Sequence, residues 1–294
     1  MNLADWLKLI LLSLLWGGAF FFGEVALGHV EPLTIVMVRV SLAAVILIVF
    51  CQLAGIPRIG LSPSVMISLL IMGLLNNVIP FSLITYGQVE ISGGLASILN
   101  ATTPLFTVAV AHFWPQGEKA TPLKIAGVAS GIAGVALLMG IGNLADVGEG
   151  LWGKIAVLGA ALSYAFALLY GRRFKAFHPI YFATGMLAAA SLVMIPLAFI
   201  FETPFQPMPP LSALSAMAGL AIFASAIAYF LYFSVLQSAG PTNASLVTFM
   251  IPASAILLGV VFRNESLETQ HIAGLGLILL GLALVDGRLF RREN

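Results

Sequence analysis

The chain has little charge, one cysteine and four histidines in 294 residues. Lys, Arg, Asp and Glu make up only 9% of the sequence, and the net charge of +1 argues against a broad nucleic-acid-binding surface. Because Cys51 stands alone, a disulfide within the chain is excluded and a thiolate metal site is not expected. The apolar segments contain no paired acids and no nucleophile with a nearby base. We therefore predict no enzymatic activity, no metal and no cofactor.

The sequence is instead rich in long apolar stretches. Hydrophobic residues make up 60% of the chain, and its mean hydropathy of +1.06 is typical of a protein that lies in a bilayer. A helix that crosses a bilayer needs about 20 mainly apolar residues. We predict an all-α integral membrane protein with ten transmembrane helices, at 5–25, 32–53, 63–86, 94–113, 122–142, 152–174, 179–201, 211–236, 243–262 and 270–288.

The second half of the sequence repeats the first. The segment 125–137 (IAGVASGIAGVAL) recurs as 272–284 (IAGLGLILLGLAL), and Pro104 and Pro252 each follow an Ala-Ser pair at the same distance. We predict a first five-helix repeat at 1–142, a periplasmic connector at 143–150 and a second repeat at 151–294. Because each copy has an odd number of spans, the copies are expected to be inverted around a central cavity, as in two-state carriers.

The positions of Lys and Arg predict that both termini are cytoplasmic. With this orientation only Lys154 and Arg263 lie outside. Ten basic residues lie on the cytoplasmic side: Lys8, Arg58, Lys119, Lys124, Arg172, Arg173, Lys175, Arg288, Arg291 and Arg292.

Polar and aromatic residues occur near the midpoints of several spans. Trp16 and Tyr164 are 148 residues apart, as are Asn100 and Thr248, so the two repeats contribute equivalent positions. Polar groups in hydrocarbon are costly and usually face a cavity or another helix. We predict that seven of these residues bind substrate: Trp16, Asn76, Asn77, Asn100, Tyr164, Tyr229 and Thr248.

Three of the same spans contain a proline, namely Pro80, Pro104 and Pro252. Proline has no N–H, so in a regular helix the carbonyl four residues earlier loses its partner. Freed backbone groups at this depth line a cavity or are satisfied by neighbours. We predict that the three prolines act as gates or helix kinks. The alternative is a kink that neighbouring side chains satisfy locally. The freed carbonyls are expected to be those of Asn76, Asn100 and Thr248.

Two charged residues, Glu24 and Arg39, are predicted to be embedded in the membrane, towards the outer ends of the first two spans. We expect a structural ion pair between them, or an Arg39 that reaches outwards, rather than a contact with substrate. The level of the polar residues is then expected to hold neither a cation nor a carboxylate. This disfavours phosphorylated substrates and favours a neutral or zwitterionic solute with an apolar side chain.

These motifs together resemble the drug/metabolite transporter superfamily. The resemblance depends on Trp16-Gly17-Gly18, on Glu31-Pro32 followed by Arg39, and on the prolines of spans four and nine. Within the superfamily the chain is similar to the ten-helix EamA-type permeases, and among these to the YddG-like exporters of aromatic and other amino acids. The resemblance implies that spans one, three, four, six, eight and nine surround a central cavity, which the other four support.

We therefore expect a secondary transporter that exports amino acids, preferably aromatic or large apolar ones, by alternating access. It is expected to lie in a bacterial inner membrane, to work as a monomer, and to have a small-molecule substrate and no nucleic-acid partner. Two alternatives remain. One is an exporter of another uncharged metabolite or drug, and the other is a passive channel, which would lack countertransport.

Overall fold

The computed structural model describes residues 2–56, 60, 62–114, 120–138, 150–174, 177–239, 244, 246–264, 266 and 268–286. Within these residues the chain forms ten helices and no strand, which confirms the predicted all-α class. The predicted connector, apart from Gly150, lies outside the described residues. The helices are α1 (Leu3–Leu27), α2 (Pro32–Leu53), α3 (Pro63–Gly87), α4 (Gly93–Phe113), α5 (Pro122–Leu138), α6 (Leu151–Gly171), α7 (Pro179–Phe201), α8 (211–239), α9 (Val247–Arg263) and α10 (Thr269–Asp286).

The local sequence explains where several helices begin. Ser62 and Ser92 act as N-caps of α3 and α4, and each side chain accepts a hydrogen bond from a backbone N–H of the first turn. Asn2 and Asp5 form a reciprocal capping box at the start of α1. Proline occupies the first turn of α2, α3 and α7, where its missing N–H has no helical partner to lose.

Seven helices, α1 to α4 and α6 to α8, are long and apolar enough to cross a membrane. The remaining three are apolar and slightly shorter within the described residues, with 17 residues in α5, 17 in α9 and 18 in α10. At 1.5 Å per residue, 17 residues span about 26 Å, close to the roughly 30 Å of a hydrocarbon core. The described chain therefore forms the ten predicted transmembrane helices.

Helices α5 and α10, which are equivalent in the two halves, run antiparallel in close contact. A Cβ atom added to Gly127 would lie 2.6 Å from the carbonyl oxygen of Gly281, and one added to Gly134 would lie 2.7 Å from that of Gly274. In the repeat, Gly127 corresponds to Gly274 and Gly134 to Gly281. The two contacts are thus exchanged by a two-fold rotation that relates the halves. Small residues allow this close approach in lipid.

Helices α2 and α7 form a second antiparallel pair of equivalent helices. Glu202, after the end of α7, accepts two backbone N–H groups of the first turn of α2 at 2.7 and 2.8 Å. In return Glu31 accepts the backbone N–H of Thr203 at 3.1 Å. At the opposite ends of the same helices, Cys51 Sγ lies 3.4 Å from Thr184 Oγ1. Equivalent helices that run antiparallel identify the two halves as inverted repeats.

The molecule has two faces across the bilayer, which we call the Asn2 face and the Glu31 face. The odd-numbered helices begin at the Asn2 face and the even-numbered helices begin at the Glu31 face. Both ends of the described chain therefore lie at the Asn2 face.

Helices α3 and α8 each contain a π-helical segment at the same place in the repeat. The segments are Leu74–Val78 and Ile222–Ile227, and their first residues are 148 positions apart. A π-helical turn widens the helix, and such turns are frequent at functional sites. The two segments place Asn76, Asn77 and Ser225 at the level of the molecular centre.

Candidate functional site

The polar centre of the molecule joins the two halves through a hydrogen bond. Asn76 Nδ2 of α3 donates to the Tyr229 hydroxyl of α8 over 3.2 Å. The two residues belong to equivalent helices, next to or within their π-helical segments. Both side chains are half-buried although they lie deep among the helices. Neither side chain is therefore sealed completely by the surrounding helices.

An aromatic series extends from Tyr229 to α1. The ring of Tyr229 stacks on Phe233 at a centroid distance of 6.0 Å, and Phe233 meets Tyr232 edge-on at 5.4 Å. Tyr232 in turn lies 5.5 Å from the ring of Trp16. The series connects two of the predicted site residues, Trp16 and Tyr229, through rings that are each partly exposed. Aromatic faces of this kind accept apolar side chains and ammonium groups.

Arg39 lies at the level of this polar centre, not at the outer end of α2 as predicted. Its Nε donates to Ser225 Oγ over 3.1 Å, and its guanidinium carbon lies 3.7 Å from the centre of the Phe81 ring. The guanidinium is also within electrostatic range of the Tyr164 and Tyr229 hydroxyls. The expectation of a centre without fixed charge is therefore wrong, because the long side chain of Arg39 reaches inwards from α2.

The predicted ion pair between Glu24 and Arg39 is wrong for the same reason. Glu24 Oε1 instead lies 3.5 Å from Nε of Arg263, at the end of α9. Its second oxygen, Oε2, accepts the backbone N–H of Gly93 at the start of α4 over 3.3 Å. Glu24 therefore connects three helices at the Glu31 face and is separate from the polar centre.

The π-helical segment of α3 changes the effect of Pro80. In a regular helix Pro80 would leave the carbonyl of Asn76 without a hydrogen-bond donor. In a π-helix each N–H bonds the carbonyl five residues earlier, so here Pro80 leaves the carbonyl of Leu75 without its donor. Ser163 of α6 satisfies that carbonyl, because its hydroxyl donates to the Leu75 oxygen over 2.8 Å. The distortion of α3 is thus stabilised by a side chain from the other half of the molecule.

Pro104 lies at a break in α4 that is satisfied locally. The helix consists of Gly93–Asn100 and Thr103–Phe113 with a turn between them. The Asn100 carbonyl, which Pro104 leaves without a helical donor, accepts the Thr103 hydroxyl over 2.8 Å. This agrees with the alternative of local satisfaction. This carbonyl therefore gives no support to the gating role predicted for Pro104.

Pro252 lies inside α9, where that helix packs tightly on α1. A Cβ atom on Gly17 would lie 2.7 Å from the Cβ of Ser254, and the Ser254 hydroxyl is 3.0 Å from that of Ser13. The site residue Thr248, one turn before Pro252, is half-buried.

Two asparagines have buried polar atoms without a hydrogen-bond partner in the described part of the chain. Asn77 is fully buried in the π-helical segment, and its Oδ1 has no hydrogen-bond partner. Asn100 Oδ1 is likewise unpartnered among these residues. Unsatisfied buried groups of this kind are rare in native structures.

The structure thus brings only part of the predicted site together. Hydrogen bonds and ring contacts among the described residues connect Trp16, Asn76 and Tyr229. Asn77 adjoins Asn76 in the π-helical segment, and Tyr164 lies within electrostatic range of Tyr229. Asn100 and Thr248 lie on α4 and α9 outside this set of contacts.

Three contributors to the centre, Phe81, Ser163 and Ser225, were not among the seven predicted site residues. Their only sequence signal is position, since Ser225 is 148 residues after Asn77 and Ser163 precedes Tyr164. In the described residues no three His, Cys, Asp or Glu side chains lie close enough to hold a metal ion.

Several contacts connect the helices at the Glu31 face. Gln88, after the end of α3, donates from Nε2 to the Phe20 carbonyl of α1 over 2.8 Å. The backbone N–H of Gly153 at the start of α6 donates to Glu90 over 2.9 Å. With the bonds of Glu24, these contacts connect α1, α3, α4, α6 and α9.

Comparison with known proteins identifies the family. The model of the EamA-like transporter family matches residues 6–140 and again 151–286. The uncharacterized inner membrane transporter YedA of Escherichia coli K12 is 30% identical over 94% of this chain and 89% of its own length. The uncharacterized transporter YoaV of Bacillus subtilis 168 is 25% identical over 98% of both chains. A solved crystal structure of 21% identity has the same fold, with a TM-score of 0.70 over 99% of this chain and 98% of its own. The chain therefore belongs to the EamA-like transporter family and is a membrane transporter.

Proposed function

We propose that this transporter exports amino acids, preferably aromatic or large apolar ones, from the cytoplasm by alternating access. The observation that supports this most directly is the hydrogen bond between Asn76 and Tyr229, which joins equivalent helices of two inverted halves at a polar centre. Inverted repeats that meet at a midplane site are the usual architecture of secondary carriers. The aromatic series from Tyr229 to Trp16 provides a lining suited to large apolar side chains.

The proposed orientation puts the Asn2 face in the cytoplasm of a bacterial inner membrane. It follows from the excess of Lys and Arg at the loops of that face. Export then requires the contacts of Gln88, Glu90 and Glu24 at the periplasmic face to break as the halves move. We propose that one chain suffices, with repeats at 1–142 and 151–294 joined by a connector at 143–150, because its own α5 and α10 fill each other's glycine faces.

The test is exchange of labelled phenylalanine in proteoliposomes that contain the purified protein. A carrier saturates and exchanges external for internal substrate, and an imposed proton gradient tests for coupling. A channel instead gives a flux that excess substrate on the opposite side does not accelerate. If a panel of sugars, nucleobases and drugs exchanges and no amino acid does, the proposed substrate class is wrong.

The proposed site residues are tested in the same assay by matched pairs of variants. Trp16→Ala is expected to raise the KM for phenylalanine, whereas Trp152→Ala, whose side chain is 73% exposed, leaves it unchanged. Tyr229→Phe removes the hydroxyl that Asn76 contacts, and Tyr181→Phe on α7 is its control. Equal kinetics for both members of each pair would exclude these residues from the site. The remaining proposed site residues, Asn77, Asn100, Tyr164 and Thr248, are changed to alanine in the same way.

A further inference from the structure

The polar centre contains a cation that has no carboxylate partner. In the described part of the chain, Arg39 is the one basic side chain at this level, because Lys8, Lys124, Lys154, Arg172, Arg173 and Arg263 all belong to helix ends. No Asp or Glu oxygen among these residues lies within 4 Å of its guanidinium, and Glu24 is already paired with Arg263. A charge at mid-membrane depth is costly unless it is paired or hydrated. Among the described residues this charge is therefore left to water or to a bound anion.

The guanidinium of Arg39 is held with one edge unused. Nε is bonded to Ser225, whose own hydroxyl hydrogen goes to the Leu220 carbonyl, and one flat side covers the Phe81 ring. The four N–H groups of the two Nη atoms donate to no described residue, and Arg39 is only partly buried. This edge has the geometry that binds a carboxylate through two parallel hydrogen bonds.

We propose that Arg39 binds the carboxylate of the transported solute, and that Ser225 and Phe81 position its guanidinium for this contact. A single cation balances a single negative charge, which fits a carboxylate better than a phosphate dianion. The partly exposed rings of Tyr229 and Trp16 offer aromatic faces to an ammonium group on the same solute. The substrate class is therefore α-amino acids with the free carboxylate. This inference rests on the proposed function, because it names the group by which the same site would recognise its amino acid.

The test needs no mutation at first. Exchange of labelled phenylalanine by the unmodified protein is competed with phenylalanine, phenylalaninamide and phenethylamine, which differ at the carboxylate. A lost charge-assisted hydrogen-bond pair is expected to weaken competition by the amide and the amine at least about tenfold. If phenylalanine exchanges and all three compete equally, the carboxylate contact is refuted and the transport function stands. If no amino acid exchanges at all, the proposed function fails and this inference fails with it.

Variants then separate binding from a structural role of Arg39. Arg39→Gln is expected to raise the KM for phenylalanine at least about tenfold and to bring the acid-to-amide preference close to one. Arg39→Lys keeps the charge and restores part of the preference. Arg173→Gln, which removes a cation over the ring of Tyr170 at the surface, is the matched control and leaves the preference unchanged.

Ser225→Ala tests the positioning role, and it is expected to raise the KM for the acid more than that for the amide. A merely structural Arg39 would lower the amount of folded protein and leave the preference of each variant at the value of the unmodified protein, which would overturn the proposal.

Discussion

Replacing Ser163 by alanine tests how the distorted segment of α3 is stabilised. The Ser163 hydroxyl donates to the Leu75 carbonyl over 2.8 Å. Pro80 stands five residues after Leu75, where the π-helical spacing would otherwise supply a backbone N–H. The alanine variant therefore leaves a carbonyl without a donor between two packed helices. Because Ser163 is only 6% exposed, water reaches this point poorly.

The size of the effect follows from these contacts. Removing one partner of a buried hydrogen bond costs about 1–3 kcal/mol in soluble proteins. Hydrogen bonds between transmembrane helices average about 0.6 kcal/mol and reach about 1.7 kcal/mol. The bond of Ser163 belongs to the upper part of that range, since Pro80 removes the backbone alternative. We expect the free energy of unfolding to fall by about 1–2 kcal/mol.

The matched control is Ser191→Ala in α7. Ser191 is 8% exposed, and its hydroxyl also donates over 2.8 Å to a carbonyl, that of Leu187. That carbonyl keeps its ordinary helical N–H, so the loss is expected to stay under about 0.5 kcal/mol. Equilibrium unfolding in mixed detergent micelles measures both changes.

A double-mutant cycle with Pro80→Ala completes the test of Ser163. Alanine at position 80 returns an N–H to the backbone, so Ser163→Ala is expected to cost less in the Pro80→Ala background than in the unmodified protein. Equal costs for Ser163→Ala and Ser191→Ala, or an unchanged cost after Pro80→Ala, would refute the reasoning.

Two further predictions concern contacts between equivalent helices. Gly134→Ala is expected to destabilise the protein by about 1–3 kcal/mol, since the new Cβ would lie 2.7 Å from the Gly274 carbonyl oxygen. The control Gly276→Ala, with open space around it, is expected to change stability little. Equal thermal stability of the two variants in detergent would contradict this. Glu202→Gln is expected to lower the free energy of unfolding by about 1–3 kcal/mol, because the carboxylate accepts two backbone N–H groups and one hydroxyl. The control Glu31→Gln affects a single exposed hydrogen bond and is expected to lower it by less than about 1 kcal/mol. The reverse order of thermal stability would contradict the assignment.

The helices and the inverted repeat were predictable from the sequence for a physical reason. Bilayer thickness determines the length of every span, and an odd number of spans per copy requires inversion. The matching segments 125–137 and 272–284 revealed the repeat, and in the structure their glycines pack against each other between α5 and α10. None of these inferences depends on the direction of an individual side chain.

The position of Arg39 was not predictable in the same way. It lies seven residues after Pro32, which places its Cα about 10 Å below the start of α2. A long side chain at that depth has the choice of snorkelling outwards or reaching inwards, and packing decides between them. Phe81 and Ser225 decide it here, and both lie on other helices. The partner of Glu24 was equally open, since Arg39 and Arg263 were both at its end of the membrane.

The carbonyl freed by Pro80 was misplaced by one residue because the sequence has no marker for the π-helical turn. Proline predicts that a carbonyl is freed, while the helix type determines which one. Leu74–Val78 contains no glycine and no second proline that would indicate a widened turn. Its counterpart Ile222–Ile227 shows that the distortion belongs to the repeated fold and is not a consequence of Pro80, since α8 has no proline there.

The site thus combines a symmetric frame with an asymmetric interior. Both halves contribute a π-helical segment at the same position, and the proposed alternating access would deform α3 and α8 in equivalent ways. The cation is contributed once, because the residue of α7 equivalent to Arg39 is Met186. The large rings of Trp16 and Tyr232 lie at the other end of the aromatic series. The proposed amino-acid substrate also has a charged end and an apolar side chain, so we expect the asymmetric interior to orient it, with its carboxylate at Arg39 and its side chain near Trp16.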